Sequence, residues 1–115
     1  MEDFQLQEDL INTIYLHAKQ EAPRECCGLV VDNGEYIKVK NIAENEEDFK
    51  MDEKTFALLQ LQRKILYVVH SHYNSNCKPS EYDKVMCKAM DIPYLIMSYP
   101  KKDYYILKPW KEIFI

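Results

Sequence analysis

The segment HSHYNSNCKPSEYD, residues 70–83, holds two of the chain's three histidines one residue apart, then a serine and an aspartate. It follows the apolar run Ile65-Leu66-Tyr67-Val68-Val69, which is short, branched and aromatic and reads as a buried strand. Side chains alternate along a strand, so His70 and His72 project to one face. Two imidazoles so placed can reach a single metal ion at about 2.0–2.1 Å each. Ser80 followed three residues later by Asp83 fits a loose capping box, which puts Asp83 in the first turn of a helix. From there a carboxylate can swing back over the strand end.

Two neutral histidines and one carboxylate are a recurrent catalytic zinc set, with a further position left for water. No fourth protein ligand is obvious, so the site reads as open. Such a water needs a base, and Glu25 immediately precedes Cys26-Cys27-Gly28 at the start of another strand. It is suitably placed if that strand lies beside His70, an adjacency the sequence does not prove. Cys77 sits in the loop between the candidate ligands, and a thiolate binds zinc well, so it stays an accessory candidate.

Each of these residues also has a plainer explanation. An isolated His-x-His is more often a pair of strand residues satisfied by hydrogen bonds. Ser80 caps a helix whether or not it also meets an oxyanion, and Asp83 complements a helix dipole in any case. His17, on a polar stretch of the first helix, reads as a surface or packing residue. Cys26 and Cys27 have no partners that would make them nucleophiles and read as small buried hydrophobes.

The elements that must position these groups are legible in outline. Phe4 to Gln20 is expected to be a helix, carrying Leu6, Leu10, Ile14 and Ala18 at near-helical spacing and stopped by Pro23. Strands are expected over Cys26 to Val31 and Tyr36 to Ile42, joined by Asp32-Asn33-Gly34, a hairpin signal because Asn and Gly tolerate positive φ. The acidic run 44–48 reads as a solvated loop. Asp52 caps a helix reaching about Lys64, and a third helix runs from Glu81 to about Met90. Tyr94 to Tyr99 and Tyr104 to Leu107 complete the strands, with their tyrosines as packing and rim residues. The order is helix, hairpin, helix, strand, helix, hairpin: one mixed α/β domain over residues 1–115.

Composition narrows the function classes. The 115 residues are 47% hydrophobic and 30% charged, a globular balance. A net charge of −4 without a basic patch argues against nucleic acid. No apolar run approaches the roughly 20 residues of a membrane helix, so no membrane partner is expected, and MEDFQLQEDL does not read as a signal peptide. Four cysteines with no Cys-x-x-Cys pair read as reduced thiols of a cytosolic protein.

Taken together, Glu25, His70-Ser71-His72, Ser80 and Asp83 resemble the signature of the JAMM, or MPN+, metalloprotease family: a glutamate, then His-x-His, seven residues, serine, two residues, aspartate. Tyr73 to Pro79 are the seven. Within that family, the phrases His17-Ala18, Pro23 to Val30, Val68 to His72 and Pro79 to Asp83 are similar to the N-terminal domain of the lambda-type phage tail tip assembly proteins. The resemblance implies a JAMM/MPN-like (cytidine-deaminase-like) mixed sheet with flanking helices. It also implies Zn2+ on His70, His72 and Asp83, Glu25 as general base and acid, and Ser80 on the oxyanion or the water. Tyr73 departs from the proline usual there. Many relatives continue into a cysteine peptidase domain, and a function relying on that domain is not carried over.

The expected function is therefore a zinc metallopeptidase or isopeptidase acting on a peptide or protein, in phage tail assembly or on the cell wall. The location it implies is the bacterial host cytoplasm or a virion tail, with phage tail proteins as candidate partners. Two alternatives stay open: an isopeptidase for ubiquitin-like or sulfur-carrier tails, and a non-catalytic zinc-containing tail assembly module. A zinc deaminase would need a Cys-x-x-Cys ligand pair, which is absent.

Overall fold

A computed structural model of the protein describes residues 7–112. Its elements are α1 (Glu8–Glu21), β1 (Cys27–Val31), β2 (Tyr36–Val39), α2 (Glu53–Gln62), β3 (Ile65–Tyr73), α3 (Glu81–Met90), β4 (Tyr94–Tyr99), β5 (Tyr104–Leu107) and a short 3-10 turn at Pro109–Glu112. The strands form one sheet in the order β2-β1-β3-β4-β5. β3 and β4 are parallel and the other pairs antiparallel. The crossover between the parallel pair is α3, as a parallel connection requires. This is the mixed α/β sheet expected from the sequence.

Alternation along the central strands divides the core into two. Ile14 and Ala18 of α1 pack with Cys26, Val30, Val69 and Met97 on one face. Cys27, Leu29, Val68 and Tyr94 point the other way and are covered by Cys87 of α3, with Phe56 and Leu59 of α2 partly buried there. β1, β3 and β4 are apolar along much of their length because helices or loops cover both of their faces. His70 and His72 share the parity of Val68, so they fall on the face of α2 and α3.

Several boundaries differ from expectation for identifiable reasons. β3 continues through both histidines to Tyr73, because β4 offers parallel partners as far as the pair Tyr73 and Tyr99. β2 stops at Val39, the partner of Cys27 where β1 begins; beyond it there is no strand to pair with. α2 ends at Gln62 rather than Lys64, with Arg63 extended and paired to Asp32 and Glu35 of the hairpin turn. In that turn only Gly34 takes a positive φ, 87°, while Asn33 Oδ1 accepts from Glu35 N. Phe4 and Leu6 of the expected first helix lie outside the described residues.

Gly28 permits a close approach, but not toward the histidines. A Cβ there would lie 2.5 Å from the Tyr36 ring and 2.6 Å from the Ile37 carbonyl oxygen. It allows β2 to seat its tyrosine over β1, on the α1 side of the sheet.

Candidate metal centre

The antiparallel pairing of β1 with β3 sets Cys27 opposite His70. Glu25, two residues before Cys27 and of the same parity, is thereby brought to the edge of the histidine pair. The adjacency on which a catalytic role for Glu25 depends is present. Glu25 Oε1 lies 3.2 Å from His70 Nδ1. The His70 and His72 rings face the same way, their centroids 5.1 Å apart. Glu25, His70 and His72 each offer a ligand atom, all within 4.8 Å of one another.

Asp83 meets the histidines on the opposite edge of the His70 ring. Its Oδ1 is 3.0 Å from His70 Nε2 and its Oδ2 is 3.5 Å from His72 Nε2. The capping box is formed in both directions: Ser80 Oγ accepts from Asp83 N, and Ser80 N donates to Asp83 Oδ2. One local motif, Ser-x-x-Asp, therefore starts the helix and aims the carboxylate. The structure thus groups Glu25, His70 and His72; Asp83 is not in that group but is set against both imidazoles, held by Ser80.

His70 and Asp83 are almost completely buried, at 1% and 3% exposure. Burial works against a charge on His70, but Asp83 and Glu25 outweigh it and raise the imidazole to about 9. Burial likewise opposes the charge on Asp83, yet the two imidazoles hold it ionised far below the usual carboxylate range. His70 and Asp83 thus form a buried ion pair. Its fit is imperfect, since His70 Nε2 has no hydrogen-bond partner. The Asp83 oxygen is near enough but outside hydrogen-bond geometry.

His72 Nδ1 lies 2.9 Å from the Asn76 carbonyl oxygen. A carbonyl only accepts, so Nδ1 carries a proton, and Nε2 is the nitrogen that faces Asp83 and would meet a metal.

Sequence reasoning missed Phe49, Asn76 and Asn41, and took Tyr94 as packing alone. Phe49 stacks on the His70 ring, with centroids 4.2 Å apart and planes 17° from parallel, and Tyr94 meets it edge-on. The signal for Phe49 was a lone aromatic in an acidic stretch, which requires that loop to dock rather than stand free in solvent. Asn76 acts through one backbone carbonyl and Asn41 through side-chain hydrogen bonds to backbone groups, and neither leaves a periodic trace.

Other residues fall as expected or stay apart. Cys77 is partly exposed and free, and it is not among the grouped ligand atoms. Cys26 and Cys27 are fully buried, and burial pushes their thiols up to about 11 and about 12, so neither is poised as a nucleophile. His17 is a packing residue, buried and bonded through Nδ1 to Tyr36 Oη at 2.7 Å.

Two clefts border the centre. One, of about 520 Å³, is lined by Glu25, His72, Tyr73, Glu46 and Glu47 among others. The second, of about 840 Å³, runs beneath Phe49 and Tyr94 between α2 and α3 and is walled by Met51, Phe56, Val68 and Met86.

A family model described as prokaryotic homologs of the JAB domain matches residues 7–110. The chain belongs to the prokaryotic JAB family. This JAB domain is 33% identical over 112 residues to tail tip assembly protein K of Escherichia phage N15, covering 94% of the chain and 46% of the phage protein. It thus spans less than half the length of that relative. Among solved structures it resembles a protein of Desulfitobacterium hafniense, at 26% identity and TM-score 0.66, over 87% of this chain and 78% of that one. It also resembles a JAB1/MPN domain protein from Archaeoglobus fulgidus, at 22% identity and TM-score 0.62, over 87% and 84% of the two chains. A structure reported as a JAMM metalloprotease-like zinc site in the proteasome and signalosome aligns at TM-score 0.57 and 21% identity, over 94% and 89%. The fold is that of the JAB/MPN proteins. Among the described residues no helix is long and apolar enough to cross a membrane.

The residues present in this JAB domain fit a zinc ion. A buried imidazole nitrogen without a hydrogen bond, a second imidazole whose outer nitrogen is tied to a carbonyl and a carboxylate facing both form a donor set suited to that metal.

Proposed function

We propose that this JAB domain is a zinc-dependent peptidase or isopeptidase that hydrolyses an amide bond in a peptide or protein. In this reading His70, His72 and Asp83 hold the metal and Glu25 is the general base and acid. The observation that carries it is the convergence of donors on buried His70: ligand atoms of Glu25, His70 and His72 all within 4.8 Å of one another, and Asp83 Oδ1 3.0 Å from His70 Nε2. A zinc ion bound there supplies a Lewis acid for the scissile carbonyl and lowers the pKa of water.

The chain's own residues supply the rest. Glu25, lining the open cleft beside His72, takes the proton of the attacking water on Oε1 or Oε2 and returns one to the departing amine. Its contact with His70 Nδ1 holds it in place before reaction. Ser80 Oγ accepts from Asp83 N and so keeps its own proton to donate to a developing oxyanion. Tyr73, 45% exposed, lines the same cleft.

The likeness to a phage tail tip assembly protein supports a tail protein or a cell-wall peptide as substrate, met in the host cytoplasm or at the virion tail. The test is zinc content after loading and dialysis, paired with cleavage assays on tail proteins and short peptides. One ion per chain is expected, lost in His72→Ala without loss of the fold. A wild-type protein that takes up no zinc overturns the reading. One that binds zinc but cleaves none of these substrates is the non-catalytic assembly module instead.

A further inference from the structure

Asn41 is a buried polar residue outside the ligand set, and all its side-chain hydrogen bonds are made. Nδ2 donates to the Glu25 carbonyl at 2.8 Å and to the Asp48 carbonyl at 2.9 Å. Oδ1 accepts from Ala43 N at 2.9 Å and Lys50 N at 3.0 Å. Two of these partners, Asp48 and Lys50, are the residues on either side of Phe49, the ring stacked on His70. A third is Glu25 itself, whose N–H is held by the Glu46 carbonyl of the same loop.

We infer that Asn41 is a positioning residue for the centre, clamping Glu25 through its carbonyl and His70 through Phe49. The inference rests on the catalytic reading above for its activity arm only. The loop 41–50 is acidic and exposed over residues 44–48, so little apolar burial holds it down. One amide anchored at both ends of the loop replaces that burial. Fixing Phe49 against His70 restricts the imidazole's tilt, and fixing the Glu25 peptide restricts the reach of its carboxylate. Outer partners of this kind set the orientation of ligands and bases, and removing one typically costs about 10–100-fold in metal affinity or activity.

The acceptor and donor halves of the amide separate the two effects. Asn41→Asp keeps an oxygen for Ala43 N and Lys50 N but loses both donors, and it sets a carboxylate against the Glu25 carbonyl. Asn41→Ala removes everything. The readouts are the ring-proton shifts of His70 in metal-free protein, zinc affinity by competition with a chromophoric chelator, and turnover. A face-stacked phenyl moves ring protons upfield, and Phe49→Leu identifies that displacement. Ile14→Val, on α1 in the core of the opposite sheet face, controls for lost stability alone.

Asn41→Ala is expected to lose the upfield displacement and to bind zinc about tenfold or more weakly. Asn41→Asp is expected to keep the displacement and most of the zinc affinity, while turnover falls about tenfold or more with KM little changed. Ile14→Val should move none of these. Retention of the upfield shift and zinc affinity in Asn41→Ala, or of turnover in Asn41→Asp, overturns the inference. Should Asn41→Ala fail to fold, Asn41→Ser, which keeps a shorter polar group, is held to the same criteria. If wild-type protein takes up no zinc, the catalytic reading falls, and the His70 shifts in metal-free protein still decide the positioning role.

Discussion

Ser80 and Asp83 hold each other through two reciprocal hydrogen bonds, Ser80 N to Asp83 Oδ2 at 2.9 Å and Asp83 N to Ser80 Oγ at 3.0 Å. The carboxylate that faces both histidines is therefore also part of a helix cap. Ser80→Ala should lower stability by about 1 kcal/mol, the usual cost of a lost cap, and weaken zinc binding because Asp83 is no longer held in place. Ser80→Thr keeps the hydroxyl and should restore both. Chemical denaturation and chelator competition on the three proteins check this. Weakened stability with unchanged zinc affinity would limit Ser80 to capping.

Glu25→Gln separates base from scaffold. The amide oxygen can still accept from His70 Nδ1, so a folded, zinc-loaded protein is expected. Turnover should fall about 10²–10⁴-fold, the scale of general acid–base catalysis. Wild-type turnover by this variant, on any substrate found, would refute Glu25 as the base.

Zinc uptake should be coupled to protons. Metal-free His70 is raised from 6.5 to about 9, so at pH 7 it carries a proton that a metal ligand must give up. Between pH 7 and pH 9 the apparent zinc affinity should rise about tenfold per unit from this group, flattening above. Without metal the sign for stability is opposite. The charged pair contributes fully below 6.5, and its contribution is lost as pH rises through about 9. Calorimetry in buffers of different ionisation enthalpy counts the protons released, and release of none at pH 7 would contradict the buried ion pair.

Cys77 is expected to be a bystander, since it is free and has none of the contacts that tie Glu25 and Asp83 to the histidines. Cys77→Ser should leave zinc affinity within about twofold, and X-ray absorption of the loaded protein should lack a zinc–sulfur distance of about 2.3 Å. Finding that distance would make Cys77 a ligand and the resting site closed.

Local chemistry is enough to make α3 legible in the amino-acid sequence. Ser80-x-x-Asp83 specifies a helix start because the two residues satisfy each other's backbone groups within one turn, wherever the helix packs. The same holds for the single face shared by His70 and His72, which follows from alternation alone, and for the last hairpin, where Pro100 to Asp103 interrupt two apolar runs.

Glu25 is a different case. Its type and its place before Cys26-Cys27-Gly28 mark it as a candidate, but its usefulness depends on β1 lying beside β3, which brings it to His70, 45 residues away, and which no local pattern encodes. The extension of β3 to Tyr73 likewise requires β4 as a partner, and the end of β2 is set by where β1 begins. Phe49 and Asn41 lie furthest from sequence reach. An aromatic in an acidic loop and an asparagine after a strand acquire their roles only when the loop folds back over His70. Sequence by itself determined which groups are available and which face each presents. The tertiary structure decided which of them meet, because long-range strand pairing and loop docking depend on what the rest of the chain leaves uncovered.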